Sequence, residues 1–180
     1  VPWHFPYLEW FCSGGEPGLD ASTRSLAQTL ASIIAVEGPV LGGRAMRLYL
    51  RAIGRARLGK QVERTLDEAL TLAEREGLVV VDNPTRTRNR TQMTFRAPAT
   101  APVVLRARGP RDLYEIPHSE LRESIARVAE ATGRTDEDLQ RAVLQVYGLQ
   151  RLEEKASSHL LRIERLPRPA GQDVLGPHSS

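Results

Sequence analysis

A mainly α fold with a small β-hairpin is predicted by three observations. Amphipathic segments are punctuated by Gly38-Pro39 and Gly54, the period switches to strand type after Gly77, and a second amphipathic set begins near residue 118. Three helices followed by a hairpin is the winged-helix order, so residues 22–97 are read as a winged-helix domain. Residues 118–167 are read as a second helix-turn-helix-like repeat that lacks a wing. An extended aromatic arm (1–21) leads in, a linker with a short strand (98–117) joins the halves, and 168–180 form a loose tail.

Each element has its own signal. In the arm, Gly14-Gly15 and Pro17-Gly18 break regular structure, and Trp3, Phe5, Tyr7, Trp10 and Phe11 are expected to pack back on the core. The first helix starts near Ser22, points Leu26, Leu30, Ile33, Ile34 and Val36 inward, and stops at Gly38-Pro39. The second spans about Gly43–Ile53 with Met46, Tyr49, Leu50 and Ile53 inward. The third spans about Leu58–Glu76, carries Val62, Leu66, Ala69, Leu70 and Ala73 on one face, and ends at Gly77. Leu78–Val81 and Thr91–Arg96 are the hairpin strands, and Val103–Arg108 the strand of the linker. Helices over Ser119–Thr132, Asp136–Tyr147 and Leu152–Leu166 follow; Leu121, Ile125 and Val128 face inward in the first, and Thr135 with Asp138 caps the second. Pro167 and Pro169 end the order.

Charge is uneven. Residues 1–37 carry one basic and four acidic side chains, residues 38–96 twelve and six, and residues 97–180 twelve of each. The positive field therefore belongs to the segment holding the hairpin. Cys12 is the only cysteine, which excludes an intrachain disulfide or a cysteine zinc site and suits a reducing cytoplasm. No apolar run reaches membrane-spanning length, so no membrane partner is expected. His4, His118, His159 and His178 have no metal-ligand spacing, and Ser13, Ser119 and Ser157 have no nucleophile-elbow context. Carboxylates fall on helix faces where solvation explains them. No enzyme activity, metal or cofactor is expected.

Gly54-x-x-x-x-Gly59-Lys60 imitates a phosphate loop, but Gln61 stands where a magnesium-binding Ser or Thr belongs, and a helix precedes it instead of a buried strand. Those glycines are the turn into the third helix. A better candidate is the hairpin tip, where Arg86, Arg88 and Arg90 alternate with Thr87 and Asn89 and in extended geometry project to one side, towards phosphates. On the third helix Lys60, Gln61, Arg64 and Thr65 could reach phosphates or base edges. Glu63, Asp67, Glu68, Glu74 and Glu76 share that helix and oppose a phosphate backbone. Arg44, Arg47, Arg51 and Arg55 stripe the second helix, equally a solvated face or a backbone-contact face.

The halves look related. Gly54-Arg55-Ala56-Arg57-Leu58 lies over Gly148-Leu149-Gln150-Arg151-Leu152, and in the same register Leu50 falls on Leu144 and Arg47 on Arg141.

Four motifs stand in order: Glu37-Gly38-Pro39-Val40; Gly54-x-x-Arg57-x-Gly59-x-x-Val62; Val103-x-x-Arg106-x-Arg108; and Ile116-Pro117-x-x-Glu120-Leu121. Together, over about residues 25–166, they resemble the C-terminal domain of unknown function of large bacterial superfamily I helicase-like proteins. Leu41-Gly42-Gly43 departs from the polar or histidine-containing helix start usual there, and no motor or nuclease motif is present. The resemblance implies an accessory module of a DNA-processing machine and supplies no catalytic residue. The expected function is non-enzymatic DNA binding, dominated by phosphate contacts, with DNA and a helicase-like protein in cis or trans as partners. The alternative is a protein-interaction or oligomerisation module, including a homodimer, built on the same scaffold. A free-standing transcription regulator, dimeric on symmetric half-sites, is a third reading.

Overall fold

The computed structural model describes residues 4–177; Trp3 of the arm and His178 of the tail lie outside the described residues. The chain is mainly helical, and it divides into two compact units, residues 8–100 and residues 4–7 with 101–177.

The first unit runs α1 (Thr23–Glu37), β1 (Val40–Leu41), α2 (Gly42–Ala52), α3 (Lys60–Arg75), β2 (Val80–Asp82) and β3 (Thr94–Arg96). Ser22 caps α1 by accepting from the Ser25 amide at 3.1 Å. The apolar stripe of α1 packs chiefly on α3, and Leu26, Leu30, Ile33, Ile34, Tyr49, Leu66, Leu70 and Phe95 form the core. Val36 is exposed, contrary to its place in the expected stripe, because the inward arc runs from Ile33 and Ile34 to Glu37 and leaves Val36 to one side. The three strands pair antiparallel in the order β1-β3-β2, with Val40 and Val81 both opposite Phe95. β1, two residues long, completes what the sequence suggested was only a hairpin. β3 is shorter than expected, since Arg90–Gln92 form a 3-10 turn capped by Asn89, whose side chain accepts from the amide and hydroxyl of Thr91.

The arm is not a free extension. Trp10 donates its amide to Glu37 at 3.0 Å, and the Tyr49 hydroxyl donates to the Pro17 carbonyl at 2.7 Å.

The second unit holds β4 (Val103–Val104), α4 (His118–Thr132), α5 (Asp136–Val146), α6 (Glu154–Glu164) and β5 (Val174–Leu175). Leu121, Ile125, Val143, Leu144, Leu160 and Ile163 make its core. β4 and β5 pair in parallel, and Phe5 bridges Arg106 beside them. The expected loose tail is therefore held through Pro177: Val174 is buried, and Arg168 bonds Glu123 and Glu130 on α4. The expected linker is also ordered, around a buried ionic cluster. Arg111 donates to both oxygens of Glu120 at 2.9 and 3.0 Å, and Arg106 donates to Glu120 at 3.0 Å. Tyr7 lies against the Arg111 guanidinium, 4.4 Å from ring centre to Cζ. Burial opposes the Glu120 charge, but Arg111 and Arg106 hold its carboxyl below the usual range.

Candidate nucleic-acid interface

The cationic candidates of the first unit lie on α3 and on the loop between β2 and β3. α3 begins at Lys60, after a turn in which Gly54 takes φ +75° and closes the end of α2 by donating to the Arg51 carbonyl. Its inward arc is Leu66, Ala69, Leu70 and Ala73, which leaves Lys60, Gln61 and Arg64 exposed on the outer face.

The loop carrying the three arginines is folded, not extended. Asn83 braces it by donating to the Thr87 carbonyl at 2.7 Å and accepting the Thr87 amide at 3.1 Å. Arg86 takes φ +53° at the tip, and its amide donates to the Asn83 carbonyl. The one-sided row of arginines expected from alternation is therefore absent. Arg86 and Arg88 are exposed, whereas Arg90 turns onto α3. Its guanidinium lies 3.2 Å from Asp67 and donates to Glu74 at 3.0 Å. Burial pushes the Asp67 carboxyl up, and Arg90 pulls against that shift.

A cleft of about 580 Å³ opens between helix and loop, lined among others by Lys60, Glu63, Arg64, Asp67, Arg88 and Arg90. The structure thus brings four of the six candidates together; Gln61 and Arg86 stand outside the lining. Of the acids on α3, Asp67 and Glu74 are neutralised by Arg90, and Glu76 is paired with Arg24 at 2.7 Å. Glu63 and Glu68 remain against Lys60, Arg64, Arg86 and Arg88.

Of the arginine stripe on α2, Arg47, Arg51 and Arg55 are exposed and line one cleft, and only Arg44 leaves the surface. Arg44 is buried and donates to Glu37 at 2.8 Å, because Glu37 is itself fully buried at the end of α1 and needs a counter-charge. No cluster of three or more His, Cys, Asp or Glu able to hold a metal exists among the described residues. No helix is long and apolar enough to cross a membrane among them. Set against protein-family models, curated proteins and solved structures, the chain matches none.

Proposed function

We propose that residues 8–100 are a winged helix that holds DNA by its phosphate backbone, with α3 and the β2–β3 loop as the contact. The order α1, β1, α2, α3, β2, β3 with sheet order β1-β3-β2 supports the winged-helix reading. One observation carries the functional part. Arg90 neutralises Asp67 and Glu74, the acids that would repel phosphate, and leaves Lys60, Arg64 and Arg88 at an open cleft. Arg90 is then a latch between loop and helix, and Arg86 at the tip extends the cationic face. Glu63 and Glu68 beside these cations disfavour base-edge readout at that face, so weak sequence preference and a steep salt dependence follow. The role within a helicase-like DNA-processing protein rests on the resemblance of the four motifs, of which Glu37, Arg106 and Glu120 are buried ion-pair residues.

Fluorescence anisotropy with labelled duplex, forked and single-stranded DNA tests this reading in the full chain. Wild type is compared with Arg86→Ala/Arg88→Ala and with Lys60→Ala/Arg64→Ala over a salt series. Each pair should weaken binding at low salt and lower the slope of log K against log salt by up to about 2, at roughly 0.9 per phosphate contact. No binding of wild type to any form at low salt sinks the reading.

A specific observation favours the alternative of a protein partner. Leu8 and Phe11 are 68% and 80% exposed on one short segment, beside a cleft lined by Trp10 and Leu48. A salt-insensitive complex of fixed stoichiometry would point there.

A further inference from the structure

The two units repeat one another in the bounds of the second helix, the start of the third and the hydrogen bonds of the turn between them. α2 begins at Gly42 and ends at Ala52; α5 begins at Asp136 and ends at Val146, in the register that places Gly54 on Gly148. α3 starts at Lys60 and α6 at Glu154 in that same register. The turn between them repeats bond for bond. Gly54 donates to Arg51 and Arg55 to Leu50, at 3.1 and 2.8 Å; Gly148 donates to Gln145 and Leu149 to Leu144, at 3.0 and 2.8 Å. Gly54 and Gly148 take φ +75° and +70°. α6 thus occupies the place in its unit that α3 occupies in the other.

The outer face of α6 is cationic. Lys155, Ser158, Arg162 and Arg165 recur three to four residues apart, forming one exposed stripe, and exposed Arg151 precedes the helix. Among the described residues no ion pair engages Arg151, Lys155, Arg162 or Arg165, whereas Arg141 on α5 is paired with Glu137 and Arg168 with Glu123. Two of the cations are pre-positioned. The Lys155 ammonium sits 4.4 Å from the Tyr114 ring centre, and an Arg162 nitrogen lies 3.1 Å from His159 Nδ1. Glu153 and Glu154 lie at the start of the helix, and Glu164 projects away from the stripe by helical spacing. Four cations without a carboxylate partner among the described residues, in a helix-turn-helix position, fit the phosphate backbone of a nucleic acid.

We infer that α6 and the turn before it form a second phosphate-binding face, so that the chain carries two DNA contacts, one in each unit. This rests on the DNA reading of the first unit only for the choice of ligand; its residues are separate. The test uses the full chain and a labelled DNA duplex over a salt series. Lys155→Ala/Arg162→Ala/Arg165→Ala is compared with wild type, with Arg86→Ala/Arg88→Ala, and with the control Arg134→Ala/Arg141→Ala, which removes exposed charge outside both faces. Circular dichroism checks that each variant keeps its helices, as substitution at exposed positions should allow.

The expected result is a loss of affinity of tenfold or more at low salt in the α6 variant, a salt slope lower by about 2 to 3, and little change in the control. If the α6 variant binds like wild type while Arg86→Ala/Arg88→Ala weakens, the second face is overturned and the first reading stands. If the α6 variant weakens and the loop variant does not, the second face stands and the first reading falls. An equal loss in the control overturns the second face in favour of a net-charge effect. Absence of binding by wild type overturns both.

Discussion

Arg90 is the residue on which the cationic character of the first unit turns. Sequence spacing placed it in a row with Arg86 and Arg88; the 3-10 turn at Arg90–Gln92 swings it onto α3 instead. Its partners have side chains 44% and 43% exposed, so solvent screening keeps the stabilisation below about 1 kcal/mol. The larger consequence is electrostatic. Arg90→Ala should leave the midpoint of urea unfolding nearly unchanged yet weaken duplex binding several-fold at low salt, because Asp67 and Glu74 regain their field. Adding Asp67→Asn and Glu74→Gln to that variant should restore binding. If the triple variant binds no better than Arg90→Ala, Arg90 touches phosphate itself. The same distinction between charge and exposure explains what was illegible at this scale. Arg44 and Glu120 read as surface charges on helical spacing, but both are buried in ion pairs. Nothing local in a sequence marks which arginine will meet a buried carboxylate far along the chain.

At the scale of elements, the helices were the readable part, because a 3.6-residue apolar period survives any context. The glycine turns after the second and third helices were readable too, since Gly54 and Gly77 take positive φ where those helices end. The short strands were not. β1 is two residues long, and the parallel pairing of Val103 with Val174 joins positions with no shared local signal. Gly42 shows how an element start can be dictated by a distant one. A Cβ there would collide with the Arg90 carbonyl and approach the Phe95 ring to 2.9 Å, so α2 begins under the turn that precedes β3. Its counterpart in the repeat register, Asp136, is exposed. Gly42→Ala should therefore destabilise residues 8–100 by about 1–3 kcal/mol in urea unfolding, the usual penalty of overpacking. Gly59→Ala is the comparison: a Cβ at this N-cap meets nothing within 4 Å, and the weaker capping of Ala is offset by the roughly 0.4–1 kcal/mol gained from a stiffer unfolded chain, so its effect should stay within about 0.5 kcal/mol. Equal effects of the two substitutions would refute the packing argument.

Across the whole molecule the units differ in one titratable residue type. Residues 8–100 contain no histidine, whereas the other unit holds His4, His118 and His159. Burial lowers the pKa of His118 to about 4, with Arg162 adding to the effect. Burial does the same to His159, also to about 4, reinforced by Arg162, His118 and Lys155. His4 is lowered to about 4 by burial against the pull of Glu120. Their rings stack edge to face, His118 on His159 at 6.0 Å and His159 on Tyr114 at 5.1 Å, so there is no room for a solvating shell. Below pH 6.5 the unfolded chain takes up protons that the native rings refuse, so stability is lost as pH falls from about 6.5 towards 4. The slope approaches roughly 1.4 kcal/mol per pH unit for each histidine once its unfolded form is fully protonated. Residues 8–100 hold no histidine to supply such a slope, and burial raises the Asp67 carboxyl. Hydrogen exchange, corrected for intrinsic rates, should show α4 and α6 losing protection between pH 7 and 5 while α1 and α3 retain theirs. Parallel loss in both units would mean that the buried histidines do not set the acid limit of the fold.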